Sequence, residues 1–321
     1  MKRVKKVVCD LKTKFKEWEE WLVGDDINSI RNQIYNMIWD SAVFQSINEC
    51  RRYAPTNAKG EIELNGVVHR FINKCFFETQ ALAIRRLLDK RNDVISLFRL
   101  VDNIEKHCRL LTRGNILAVH GYPYEYEQEQ KRICEEAYSK VPPGTPIIMG
   151  ANYNKCELSA DTHKSIDLLA GVDSSKRSPD DSVRPKIFEW MKKRLSNCER
   201  ISEFVNKFLA HSATPESRNY RNPPELDVTL GQILESHKII CQTAIFIGRK
   251  MGILSEGKGV GDVLPYPQYD QFVHFDKAWA SEKTIEKLHE FWSDYDMQTR
   301  DWHSWVWEAD FNKFLHEQTF C

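Results

Sequence analysis

Ile187-Phe188-Glu189-Trp190-Met191-Lys192-Lys193-Arg194-Leu195-Ser196-Asn197-Cys198-Glu199-Arg200-Ile201-Ser202-Glu203-Phe204-Val205-Asn206-Lys207-Phe208-Leu209-Ala210-His211 decides how this sequence folds. Its apolar residues Ile187, Trp190, Met191, Leu195, Ile201, Phe204, Phe208 and Leu209 recur at three- and four-residue steps, the period of one face of a helix. Ser178-Pro179-Asp180-Asp181 supplies a helix start with proline at the first helical position. The run ends just before Thr214-Pro215 and delivers His211 at its far end.

The same period recurs on both sides. Leu11, Phe15, Trp18 and Leu22 predict a short amphipathic helix over 9–22 with a lysine-rich back. Asp26 is the expected N-cap of a long second helix carrying Ile30, Ile34, Met37, Ile38, Ala42 and Ile47, which Pro55 ends. After the linker Pro55–Gly60, residues 67–90 place Phe71, Cys75, Ala81, Ile84 and Leu87 on one face, and Asn92 is the expected cap of a fourth helix running to Leu111. A solvated acidic helix over 125–140, a proline loop at 142–146, a short helix over 160–170 and helices over 226–250 and 282–316 complete the pattern, with Gly257, Gly259 and Gly261 marking a loop. No alternating strand pattern and no repeat accompany them, so the expected class is all-α: a helical bundle with additional helices and long loops. The expected division is an N-terminal helix (1–24), a bundle (25–222) and a C-terminal helical extension packed on it (223–321).

Composition narrows the function. Basic and acidic side chains balance at 46 each, which argues against a protein built to coat duplex nucleic acid and confines any nucleic-acid contact to a local patch. The 9 cysteines are odd in number, widely spaced and without a Cys-x-x-Cys pair, the usage of reduced thiols in a cytoplasmic protein. The basic N-terminus lacks the apolar segment of a signal peptide, and no run approaches the roughly 20 apolar residues of a membrane span. No cofactor motif appears: the glycines near 257–261 lack the dinucleotide order, and Glu286-x-x-His289 has no second copy for a diiron site.

Two cation–histidine pairs carry the candidate chemistry. Lys207 and His211, at i and i+4 in Asn206-Lys207-Phe208-Leu209-Ala210-His211, would project to one side of a helix. There an ammonium can steady a phosphate while the imidazole moves a proton at neutral pH. Arg113 and His120 are nearly two full turns apart, about 20° from alignment, and a guanidinium forks onto phosphate more specifically than an ammonium. Each pair also has a plain structural reading as helix-end groups satisfying loose carbonyls. The tail Asp301-Trp302-His303-Ser304-Trp305-Val306-Trp307 could stack bases, but its acidic neighbours favour packing against the core or a partner helix.

Lys207-Phe208-Leu209-Ala210-His211, the Arg113-to-His120 segment followed by Gly121-Tyr122-Pro123-Tyr124, and the helical order from about 27 to 310 resemble the HEPN superfamily, in particular its abortive-infection-like branch of bacterial helical proteins. The resemblance implies a helical-bundle homodimer that cuts single-stranded RNA without metal. In it a histidine assists attack by the 2′-hydroxyl and an arginine stabilises the phosphorane-like charge. Arg113 and His120 have the family's spacing, with Gly114 where a polar residue usually follows the arginine. Val205 and Asn206 stand where an arginine is expected ahead of His211, leaving Lys207 as substitute. Members with such a degenerate motif are taken as non-catalytic modules that bind a protein or RNA partner, and both readings stand at this point.

Overall fold

The computed structural model describes residues 2–51, 55–60, 64–142, 145–146, 150–209, 214, 216–217 and 228–254, with side chains from residue 8 onward. It is all-α: among the described residues there are ten α-helices and no strand, only isolated bridge positions such as the pair Thr112–Ser182. The expected helix over 282–316, the glycines near 257–261, the tryptophan-rich tail and His211 lie outside the described residues.

Helix α1 (Lys2–Val23) is longer than its apolar stripe, but it buries Leu11, Phe15, Trp18 and Leu22 as their spacing requires. The Trp18 indole N–H donates to Asn103 Oδ1 at 2.8 Å, so the apolar face of α1 also carries one polar tie to α4 (Leu97–Lys106). In α2 (Ile30–Arg51), Ile30, Ile34, Met37 and Phe44 are buried, and Phe44 stacks on Phe76 of α3 (Gly66–Leu87). The buried face of α3 is Phe76, Gln80, Ala81, Ile84 and Leu87. Phe71 is instead 65% exposed. Five residues are 500° of turn, which sets Phe71 about 140° away from Phe76 and off the contact with α2.

Four expected helix starts are corrected. Asp26 accepts the Asn28 N–H at 2.6 Å within a turn, and α2 begins only at Ile30. Asn92 caps nothing: Ser96, in extended backbone, accepts the Arg99 N–H at 3.1 Å and starts α4, whose first residue Leu97 lies five residues after Asn92. Pro179 does not open a helix either. The first-position proline is Pro185, at the head of α8 (Pro185–Ser196), because residues 178–183 are used to dock on α5 (Arg113–His120). The helix expected over 160–170 is the end of a longer α7, Ala151–Ala170, closed by Gly171 at φ +65°.

Between them, α6 (Tyr126–Tyr138) buries no residue and is laced on its outside by Arg132 with Glu129 and Glu136, the solvated helix its composition predicts. The long run 187–211 is not one helix: α8 stops at Asn197, α9 spans Glu199–Phe204, and a π-helical turn, Val205–Leu209, follows. Helix α10 (Leu230–Ile245) begins on a capping box between Thr229 and Gln232, packs against α2, α3 and α8, and runs into a second π turn, Phe246–Lys250. One hydrophobic core joins α1 to α10, and all described residues fall in the compact unit 1–265. No helix among the described residues is long and apolar enough to cross a membrane.

Candidate functional site

Arg113 is the first residue of α5, whose Thr112 cap accepts from Asn115 N. Its side chain is fully buried. Nε donates to Asp181 at 3.0 Å, one terminal nitrogen reaches Asp167 at 2.7 Å and Asp181 at 2.9 Å, and the other donates to His163 Nδ1 at 3.0 Å and to the His163 carbonyl at 3.1 Å. An Nδ1 that accepts fixes the His163 proton on Nε2, which donates to the Tyr124 carbonyl at 3.1 Å. Burial and the adjacent guanidinium lower the His163 pKa, which keeps the ring neutral against the arginine. Burial works to raise the Asp167 pKa, but hydrogen bonds from Arg177 and Arg113 outweigh it and hold the carboxylate ionised.

Gly114 follows from the same contact. Its N–H donates to Pro179 O at 2.8 Å, beside the bond from Arg113 N to Asp181 O, so the 179–181 turn satisfies free N–H groups at the start of α5. A Cβ at 114 would lie 3.2 Å from Pro179 Cβ and O. The glycine that weakens a helix in sequence is there to let the turn approach.

His120 ends α5, seven residues or about 10 Å further along the axis. Its Nε2 donates to Gly252 O at 2.7 Å, and its ring lies on Tyr122 and edge-on to Phe15. Burial lowers its pKa against the opposing pull of that carbonyl and Glu19. Arg113 faces α7 and the 178–181 turn while His120 faces α1 and Gly252; their contacts share no residue.

The second group is built where the end of α3 meets α9 and the turn that follows it. Asn206 and Lys207 sit in the π turn after α9, where the wider helix re-aims side chains. Arg85, near the end of α3, donates through Nε to Asn206 Oδ1 at 2.7 Å. Lys207 Nζ donates to the Ser217 carbonyl and, at 3.0 Å, to its hydroxyl. Both residues line a cleft of about 410 Å³ together with Arg85, Asp89, Lys90 and Phe98. Its cations Arg85, Lys90 and Lys207 stand against Asp89, Glu199 and Glu203. Asp89 sits within 3.6 Å of Arg85, and Lys90 pairs with Glu199 at 3.1 Å and lies over the Phe98 ring.

Arg85 is the site residue that sequence reasoning missed. It stands beside the positions 205 and 206, where the resemblance expects an arginine, yet it is 121 residues away in sequence. Nothing in Ala83-Ile84-Arg85-Arg86-Leu87 distinguishes it from a solvated basic residue at a helix end. Among the described residues no group of His, Cys, Asp and Glu is placed to hold a metal ion, and the eight described cysteines are free. No protein-family model, no curated protein and no solved structure matches this chain.

Proposed function

We propose that this chain is a HEPN-like, metal-independent endoribonuclease of bacterial phage defence, working as a homodimer on single-stranded RNA, with its site at the Arg85–Asn206–Lys207 cleft. The observation that carries the reading is the 2.7 Å bond from Arg85 to Asn206, which brings a guanidinium to the segment that lacks one in sequence. In this reading Arg85 and Lys207 hold the scissile phosphate and stabilise charge building on its oxygens. His211, four residues beyond Lys207, takes the proton of the attacking 2′-hydroxyl. The 2′-oxygen bonds to phosphorus as the bond from phosphorus to the 5′-oxygen breaks; the leaving oxygen takes its proton from water, giving a cyclic phosphate and a 5′-hydroxyl. The buried saturation of Arg113 supports moving the site away from the Arg113–His120 pair.

Incubation with single-stranded RNA in chelator tests it. The expected result is cleavage by the parent protein and a loss of about 100-fold or more in Arg85→Ala and His211→Ala. No cleavage, or cleavage untouched by both changes, refutes it. A non-catalytic binding module is the second reading, favoured by the carboxylates Asp89, Glu199 and Glu203 that balance the cleft's cations. Its signature in the same assay is RNA, or a host protein, bound and left uncut.

A further inference from the structure

Helix α8 has an inner and an outer side. Phe188, Met191 and Leu195 are buried, and Leu195 with Ser196 walls the cleft. On the outer side Lys186, Trp190 and Lys193 follow at i, i+4 and i+7, so they project together. Trp190 is 45% exposed, yet its ring is braced: Phe246 of the second π turn leans on it at 5.3 Å and the Arg194 guanidinium lies 5.2 Å from its centre. Arg194 is itself held by Gln242 of α10. Within one turn of Phe246, Arg249 and Lys250 are exposed.

Lys192, turned inward, is held by Asp102 and Glu105, whereas Lys186, Lys193, Arg249 and Lys250 form no ion pair among the described residues. Glu189 is the exposed acid among them on α8. A neutral chain gathers here a half-exposed, rigidly held indole and several cations without an ion pair among the described residues. An apolar protein partner selects a broad apolar patch with charge depleted at its centre. A ring surrounded by cations suits a polyanion whose planar bases are unpaired and free to stack.

We infer that the outer face of α8 and the adjoining π turn, Trp190 with Lys186, Lys193, Arg194 and Lys250, is a binding surface for single-stranded RNA that leads to the cleft. The choice of RNA rests on the ribonuclease reading; the stacking surface itself does not. Trp190 is six residues from Ser196 on the cleft wall, about 9 Å along the helix. One strand stacked on the indole reaches Arg85 and Lys207 only by passing about 120° around α8.

Fluorescence anisotropy with a labelled oligouridylate of about 12 nucleotides, in chelator, tests the surface independently of cleavage. Trp190→Ala is expected to weaken binding roughly tenfold and Trp190→Phe by no more than about threefold, since a phenyl ring still stacks. The double change Lys193→Glu with Lys250→Glu touches no core contact; it is expected to weaken binding and flatten the log–log salt dependence by about 1.4, two phosphate contacts' worth. A duplex of the same length is expected to bind more weakly than the single strand. A parent protein that does not bind the oligonucleotide, or variants that bind as the parent does, overturns the inference. Binding through Trp190 with RNA left uncut keeps the surface and removes the nuclease. Cleavage lost in Arg85→Ala with binding unchanged in the Trp190 and lysine variants does the reverse.

Discussion

Replacing Arg113 by alanine separates a structural arginine from a phosphate-binding one. The side chain is fully buried and ties α5 to Asp167 and His163 of α7 and to Asp181 in the turn before α8. Removing it leaves Asp167 with Arg177 as its remaining cation and the Asp181 carboxylate with only the Ser178 N–H among the described residues. Breaking a buried pair by deleting one partner costs about 3–5 kcal/mol, because a desolvated charge is left behind. With a urea slope near 3 kcal/mol per molar for a unit of this size, the unfolding midpoint should fall by about 1–1.7 M, and Tm by roughly 6–20 °C. Circular dichroism at the helix band, followed through urea, reads this directly. The double variant Arg113→Ala with Asp181→Asn should recover about 1 kcal/mol or more, since it removes the orphaned carboxylate as well. A single variant within about 1 kcal/mol of the parent, or one that keeps full stability while losing RNA cleavage, would refute the reasoning and return Arg113 to the catalytic candidates.

His237 on α10 is 3% exposed with no hydrogen bond at Nε2, and burial takes its pKa to about 4 from the ordinary 6.5. The unfolded chain therefore binds a proton that the folded one refuses: the contribution to stability is intact above pH 6.5 and falls by about 3 kcal/mol as the pH approaches 4. Urea midpoints from pH 7 to 4 should decline less steeply in His237→Leu; parallel declines would exclude this histidine as a source. Ser96 caps α4 and its hydroxyl also donates to Asp89 O at 2.5 Å, so Ser96→Ala should cost about 1–2 kcal/mol while Asn92→Ala stays within about 0.5 kcal/mol. Equal effects of the two changes in thermal melts would mean that the cap is assigned to the wrong residue.

The fold was legible wherever a helix buries a single stripe. Leu11, Phe15, Trp18 and Leu22 declare α1, and Leu97, Leu100 and Ile104 declare α4, because a 3.6-residue period leaves the same signature whatever the partner. Helix starts were less legible. Asn92, Ser96, Pro179 and Pro185 are all acceptable start residues, and the choice among them was made by what docks nearby. The 179–181 turn is held down by Arg113 N and Gly114 N, so Pro179 is taken from α8 and Pro185 replaces it.

The sequence by itself determined an all-α chain, the apolar stripes of helices such as α1, α2 and α4, and the short list of cation–histidine pairs. Periodicity and capping are local, and local rules act within one turn or two. Only the tertiary structure decided what those cations do, since a guanidinium's role depends on charges far away in sequence. Arg113 meets Asp167 and Asp181, 54 and 68 residues on, and is consumed by them. Arg85 meets Asn206 across 121 residues and reaches an open cleft. Both are arginines at the ends of amphipathic helices; burial against two carboxylates spends one, and an exposed amide beside a cleft leaves the other in reach of a ligand.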